Sequence, residues 1–192
     1  MRKRLGEITG LSFVDSTALS VCGHKRISRN RVFEGRARLG RTSIGWFFGF
    51  KLHLVINECG ELLNVQITPG NVDDRSPVRD MCRQLWGQLF GEKGDISAEL
   101  TADLRQHDLR LVTGLRKNMR EKLLLLWDKL MLRKRSLIET VIDQLKNISQ
   151  IEHTRNRSPM NFLANLFAGL IAYTYPSQKA LPEALATGTS TM

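Results

Sequence analysis

The sequence predicts an α/β domain built on a mixed sheet, and three observations carry that expectation. Apolar runs of strand length come first, strands then alternate with helices, and the last third of the chain has helical periodicity. The 192-residue chain is 42% hydrophobic and 25% charged, enough apolar content for one domain with its own core. We expect that domain over residues 1–175, followed by a small, polar, flexible tail over 176–192.

The first strand is expected over Ile8 to Val14, ending at Asp15-Ser16-Thr17, whose side chains suit a turn or cap. A basic, glycine-bearing stretch follows from His24 to Arg41, with Glu34 its only acid. Trp46-Phe47-Phe48-Gly49-Phe50 through Ile56 reads as a largely buried strand, its rings serving as core rather than as base-stacking groups. Asn57-Glu58-Cys59-Gly60 closes a hairpin, with Gly60 free to take a positive φ, and Glu61 to Thr68 returns beside it. Ser76 and Pro77 open a helix expected to reach Gly87, and Leu89-Phe90-Gly91 is a short connection. Ile96 to Gln106 is helical and Leu109 to Leu115 a strand. Helices over Leu123 to Leu130, Ser136 to Ser149 and Asn161 to Tyr173 complete the chain.

The formal net charge of +10 attracts polyanions and shortlists DNA, RNA and anionic lipid as partners. Cys22, Cys59 and Cys82 form no CxxC pair, which points to a reducing, cytoplasmic setting. The basic start Met1-Arg2-Lys3-Arg4 lacks the apolar run of a signal peptide before Asp15. The longest apolar stretch, Phe162 to Tyr173, is interrupted by Asn165 and too short for a bilayer, so no membrane partner is expected.

Arg135, Glu139 and Lys146 are spaced by four and seven residues, which puts them on one helix face, with Asp143 a turn after Glu139. Ile138, Val141, Leu145 and Ile148 form the apolar stripe that anchors this helix. Ordinary ion pairs on a solvated face explain such spacing as readily as a functional face does. Asp15, where a strand meets a loop, is likewise either a cap or a functional carboxylate. Asp15, Glu92 and Glu139 bring carboxylate oxygens from three separate segments, the ligand type a hard divalent cation takes. Two such ions roughly 4 Å apart can activate an attacking water and stabilise a departing 3′ oxygen. Arg116-Lys117-Asn118 with Arg120 either meets phosphate or forms a solvated loop, and His153, Arg155 and Arg157 make a further basic run.

Four segments carry a family resemblance: Phe13-Val14-Asp15-Ser16-Thr17, Gly45 through His53, Thr68-Pro69-Gly70-Asn71, and Arg135 with Glu139 and Lys146. Together they resemble a DDE transposase of a bacterial insertion sequence, within the insertion-sequence family numbered nine-eight-two. The likeness runs from about Leu11 to Tyr173 with the motifs in family order, and Leu132 stands where the signature helix usually opens with tyrosine. It implies an RNase H-like α/β fold, a mixed sheet flanked by helices. It implies that Asp15, Glu92 and Glu139 are catalytic acids that bind two Mg²⁺ or Mn²⁺ ions. Arg135 and Lys146 would contact DNA phosphate, or pair with Glu139 or Asp143, and Arg116 and Lys117 are further DNA-binding candidates. The implied partners are transposon-end and target DNA, together with further copies of the chain. Glu92-Lys93-Gly94-Asp95 departs from the family's Asp-Lys-Gly-Tyr, and relatives carry an additional region ahead of the first acid, so an N-terminally truncated chain is expected. Asp73 and Asp74 are alternative middle acids, but because the resemblance aligns Glu92 a turn role is preferred for them. The expected activity is metal-dependent DNA cleavage and strand transfer, with a degenerate fragment that only binds DNA as the alternative. A nuclease of RNA–DNA hybrids would share fold and chemistry, but the Arg–Glu–Lys helix argues against it.

Overall fold

The structure, a computed structural model, describes residues 5–92, 97–114, 125–153 and 156–175. Arg116, Lys117, Asp95 and the expected tail over 176–192 lie outside these residues. The sheet is organised around β1 (Leu11–Cys22), which pairs antiparallel with β3 (Trp46–Asn57) along nearly its whole length. The outer edge of β3 takes two partners, β2 (Arg38–Arg41) along its first residues and β4 (Leu62–Pro69) along the rest. On the other side of β1, β5 (Gly87–Gly91) and then β6 (Leu109–Thr113) are added in parallel. The resulting six-stranded sheet is mixed, as expected.

Alternation along β1 sends Phe13 and Leu19 to one face and Val14 to the other. The first face is covered by α4 (Ser136–Asn147) and α5 (Pro159–Tyr173), which bury Ile138, Val141, Leu145, Phe162 and Leu166 against Leu52, Leu54 and Ile56. Phe162 also stacks on Phe50 at 5.2 Å and meets Phe33 edge-on at 5.5 Å. The second face packs Val55, Leu89 and Leu109 against α1 (Val78–Met81) and α2 (Ala98–Gln106). The remaining helix, α3 (Leu126–Lys134), is tied to β6 by the fully buried Asp128, which accepts from Arg110 at 2.6 Å. Tyr173 Oη donates to the Gly60 carbonyl at 2.8 Å and so pins α5 to the β3–β4 turn, where Gly60 has φ of 77°. All three cysteines are free.

Several expectations change. The first strand does not end at Asp15 but continues to Cys22, because β3 offers partners all along it. Leu89-Phe90-Gly91 is not a connection: it belongs to β5, whose apolar side chains are buried between the two layers. The helix expected from Ser76 to Gly87 contracts to four residues with Pro77 at its N-cap, after which the chain turns at Cys82–Leu85. In α4, Leu137 joins the buried stripe, while Ile148 lies past the helix end and is exposed. Trp46 departs from its expected core role, being 56% exposed, although Phe47 beside it is buried.

Leu145 is fully buried where α4 meets the sheet. We expect Leu145→Ala to lower unfolding stability by about 2–5 kcal/mol, read from the urea midpoint at unchanged m-value.

Candidate active site

β1 and β5 are hydrogen-bonded neighbours only from Leu11 to Phe13, the last pair being Phe13 with Phe90, whose rings lie 5.6 Å apart. Beyond that pair β5 ends at Gly91, whereas β1 runs on beside β3. Asp15 and Glu92 each stand two residues past the Phe13–Phe90 pair. The period of two therefore assigns both to the face of the sheet that α4 covers. Both also line a cleft of about 720 Å³. Its other walls are Arg41 and Trp46 of the β2–β3 hairpin, Lys51 and His53 of β3, and the Gly70–Arg75 loop. Asp15 Oδ1 accepts the Ser16 backbone N–H at 2.8 Å.

Arg135, at the start of α4, brings the other two acids together. One guanidinium nitrogen, Nη2, lies 3.1 Å from Glu92 Oε1 and 3.1 Å from Glu139 Oε1. The i, i+4 relation between Arg135 and Glu139 is thus a real ion pair, extended to the end of β5. Glu139 is not among the residues lining the cleft with Asp15 and Glu92. Lys146, two turns further along α4, reaches β1: Nζ donates to the Ala18 carbonyl at 2.8 Å and pairs with Glu152 at 2.7 Å. Glu152 in turn accepts the Ser20 N–H at 2.9 Å. The lysine's anionic partner is therefore Glu152, neither Glu139 nor Asp143. Asp143 instead accepts from Asn147 at 2.5 Å.

In kind, the three acids fit a divalent cation, since all offer carboxylate oxygens. In spacing, no three or more His, Cys, Asp or Glu side chains are grouped closely enough to hold an ion, among the described residues. The positive charge between Glu92 and Glu139 is that of Arg135.

The cleft has a second polar group that the sequence reading missed. Lys51 is nearly buried in β3, donating to the Val72 carbonyl at 2.9 Å and to Asp74 at 3.1 Å. Asp74 also accepts from Ser16 Oγ at 2.8 Å, so one carboxylate ties the loop after β4 to β1 and β3. His53, only 2% exposed, shares a hydrogen bond with Thr68 Oγ1 at 2.8 Å. Lys51 and His53 alternate in an otherwise apolar strand, and that polar period of two was the available signal. Asp73 does take a turn role: it accepts the Arg75 N–H at 2.9 Å and pairs with the Arg75 guanidinium at 2.5 Å. These bonds hold its carboxyl at about 2.

Two measurements follow from these contacts. Burial lowers His53 to about 4 from 6.5, despite the attraction of Asp74, so the folded protein keeps a neutral ring where the unfolded chain would bind a proton. That stability is fully present above pH 6.5 and falls as pH drops toward 4, by about 3 kcal/mol over the window. Chemical unfolding across this range should show the slope, and His53→Gln should flatten it. Lys146→Met should cost about 1–3 kcal/mol of stability through the lost latch.

A family profile described as a transposase DDE domain matches residues 5–159. No curated protein matches the chain significantly. Among solved structures, the chain is similar to piggyBac transposase in a cryo-EM synaptic complex with hairpin DNA, with a TM-score of 0.52 and 12% identity. The likeness covers 88% of this chain and 46% of that one, so the chain spans less than half the length of the transposase whose fold it shares. The profile takes in Asp15, Glu92 and the whole Arg135–Glu139–Lys146 face, and the chain belongs to the DDE transposase domain family.

Proposed function

We propose that this domain cleaves DNA at the ends of an insertion sequence and transfers the freed 3′ ends to target DNA, using Asp15, Glu92 and Glu139 as its acids. The observation that carries the reading is the split between β1 and β5. Asp15 in β1 and Glu92, just past the end of the parallel neighbour β5, stand at matched positions, beneath a helix that carries the third carboxylate. Mg²⁺ or Mn²⁺ is the cofactor this reading calls for, to supply an activated water and stabilise the departing 3′ oxygen; the three acids offer the right oxygens but, with Arg135 between Glu92 and Glu139, are not grouped closely enough here to hold an ion.

The cleft's lining mixes charges, with Asp15, Asp73, Asp74 and Glu92 set against three cations. Arg41 and Arg75 line it, and Lys51 adds a positive charge fixed in the wall by Asp74 and the Val72 carbonyl. A phosphate there meets Arg41, and meets Lys51 and Arg75 only in competition with Asp74 and Asp73, so the reading places the attraction for DNA chiefly in the chain's overall charge of +10. Arg135 holds Glu92 and Glu139 side by side and offsets their repulsion. Arg116 and Lys117 are assigned to phosphate contact by their charge and place in the sequence. In this reading the protein acts on chromosomal DNA in the cytoplasm, and two copies hold the two ends. A binding-only domain is the second reading, and one observation favours it: the middle position holds a glutamate engaged by Arg135 rather than the family's shorter aspartate.

The test is nicking of a plasmid that carries the coding sequence with its flanking ends, in Mg²⁺ or Mn²⁺. The wild type should nick it, and Glu139→Gln should fall to background while retaining DNA affinity within about twofold, because that face of the helix positions acid rather than phosphate. Nicking equal to the wild type in Glu139→Gln would remove the acid from the mechanism. An inactive wild type rescued by Glu92→Asp with Asp95→Tyr would establish the binding-only reading.

A further inference from the structure

The β2–β3 hairpin combines features that the sheet itself does not require. Trp46, 56% exposed as a residue, opens β3, and the Arg41 guanidinium lies over its ring at 5.8 Å from the centroid. Arg41 and Trp46 are register partners, so the pair is built into the ladder. The turn between them is closed by the Thr42 N–H bonding to the Gly45 carbonyl at 2.8 Å, and Ile44 at its tip is 98% exposed. A tryptophan and an isoleucine this exposed contribute little burial to the fold.

The hairpin is nevertheless held firmly. His24 Nε2 donates to the Trp46 carbonyl at 2.8 Å. At the base, Gly40 abuts the backbone of Gly70, and a Cβ on Gly40 would strike the Gly70 carbonyl. The ring is thus presented from a fixed backbone. It lines the same cleft as Asp15 and Glu92, with the cations Arg41, Lys51 and Arg75 around it.

We propose that Trp46, with Arg41, is a stacking station for an unpaired nucleobase of the strand entering the cleft, a proposal that rests on the DNA-cleaving reading above. An exposed indole face accepts any base by stacking, and the adjacent guanidinium adds a cation for the base face and its phosphate. A blunt duplex exposes only the outer face of its terminal pair, held in a rigid stack, whereas an unpaired base can turn to the indole, so the station favours frayed or single-stranded DNA over blunt DNA. It also holds the strand in register while the phosphodiester approaches the acids.

The test compares a blunt duplex with the same duplex bearing a short 3′ single-stranded extension that contains aminopurine. Wild type, Trp46→Ala, Trp46→Phe and the control Trp86→Phe, an exposed tryptophan outside this cleft, are measured by anisotropy and by aminopurine fluorescence. Trp46→Ala should weaken binding of the extended DNA about tenfold and leave the blunt duplex within about twofold. Trp46→Phe should retain most of the affinity and the fluorescence quenching that the alanine loses, and Trp86→Phe should match the wild type. Because Trp46 is exposed, the alanine chain should keep the wild-type unfolding midpoint, and Trp46→Phe keeps the comparison decisive if it does not. Equal affinity of wild type and Trp46→Ala for the extended DNA overturns the station while leaving the DNA-cleaving reading intact. Equal losses on both DNAs also overturn it, because the contact is then not to a base. Failure of the wild type to bind either DNA overturns both proposals.

Discussion

The architecture depends on where β1 loses its parallel neighbour. β1 keeps its antiparallel ladder with β3 as far as Cys22, but its pairing with β5 stops at Phe13–Phe90. A strand with one bonded edge and one released edge leaves backbone and side chains accessible in the middle of the sheet. Asp15 occupies the first position beyond the split on the face that α4 covers, and Glu92 occupies the matching position where β5 has already ended. Had β5 continued in register for two more residues, both carboxylates would sit within a paired ladder. The released stretch of β1 at Val14–Ser16 forms one wall of the cleft, with Glu92 at its margin.

Concentrating acids at such a split is costly unless their charge is offset, and α4 supplies the offset. Arg135 meets Glu92 and Glu139 through one nitrogen, at the end of the helix nearest the sheet's opening. The other end is secured by Lys146 and Glu152 against the backbone of β1 at Ala18 and Ser20. A helix fixed at both ends and buried along Leu137, Ile138, Val141 and Leu145 has little freedom to slide or rotate. The position of Glu139 relative to β5 is therefore set by ion pairs at the two ends and by close packing between them.

What the sequence made legible follows from the range of the forces involved. The helical spacing of Arg135 and Glu139 is local, and the ion pair it suggests is present. The β3–β4 hairpin was equally readable, because Gly60 marks a turn that only its own neighbours decide. β5 was not, since five residues between glycines carry too little periodicity to be told from a connection. Asp15 looked like a turn residue because Asp-Ser-Thr is good turn chemistry, and only the partner strand from residues distant in sequence keeps it extended. Trp46 was misread for the opposite reason: an apolar run suggests burial, but the first residue of that run projects at the sheet's rim. The Asp74 network escaped entirely, because its members are drawn from β1, β3 and a loop.

The latch between α4 and β1 has a consequence for how the protein is made. Lys146 and Ala18 are 128 residues apart in sequence, and Glu152 and Ser20 are 132 apart. Contacts of such separation raise the contact order and form late in folding. During synthesis the chain emerges from its N-terminus, so the β3–β4 hairpin can pair while α4 is still unmade. Until α4 docks, Glu139 is not in place. Glu92 and Glu139 are thus bridged through Arg135 only after α4 has been delivered and has docked.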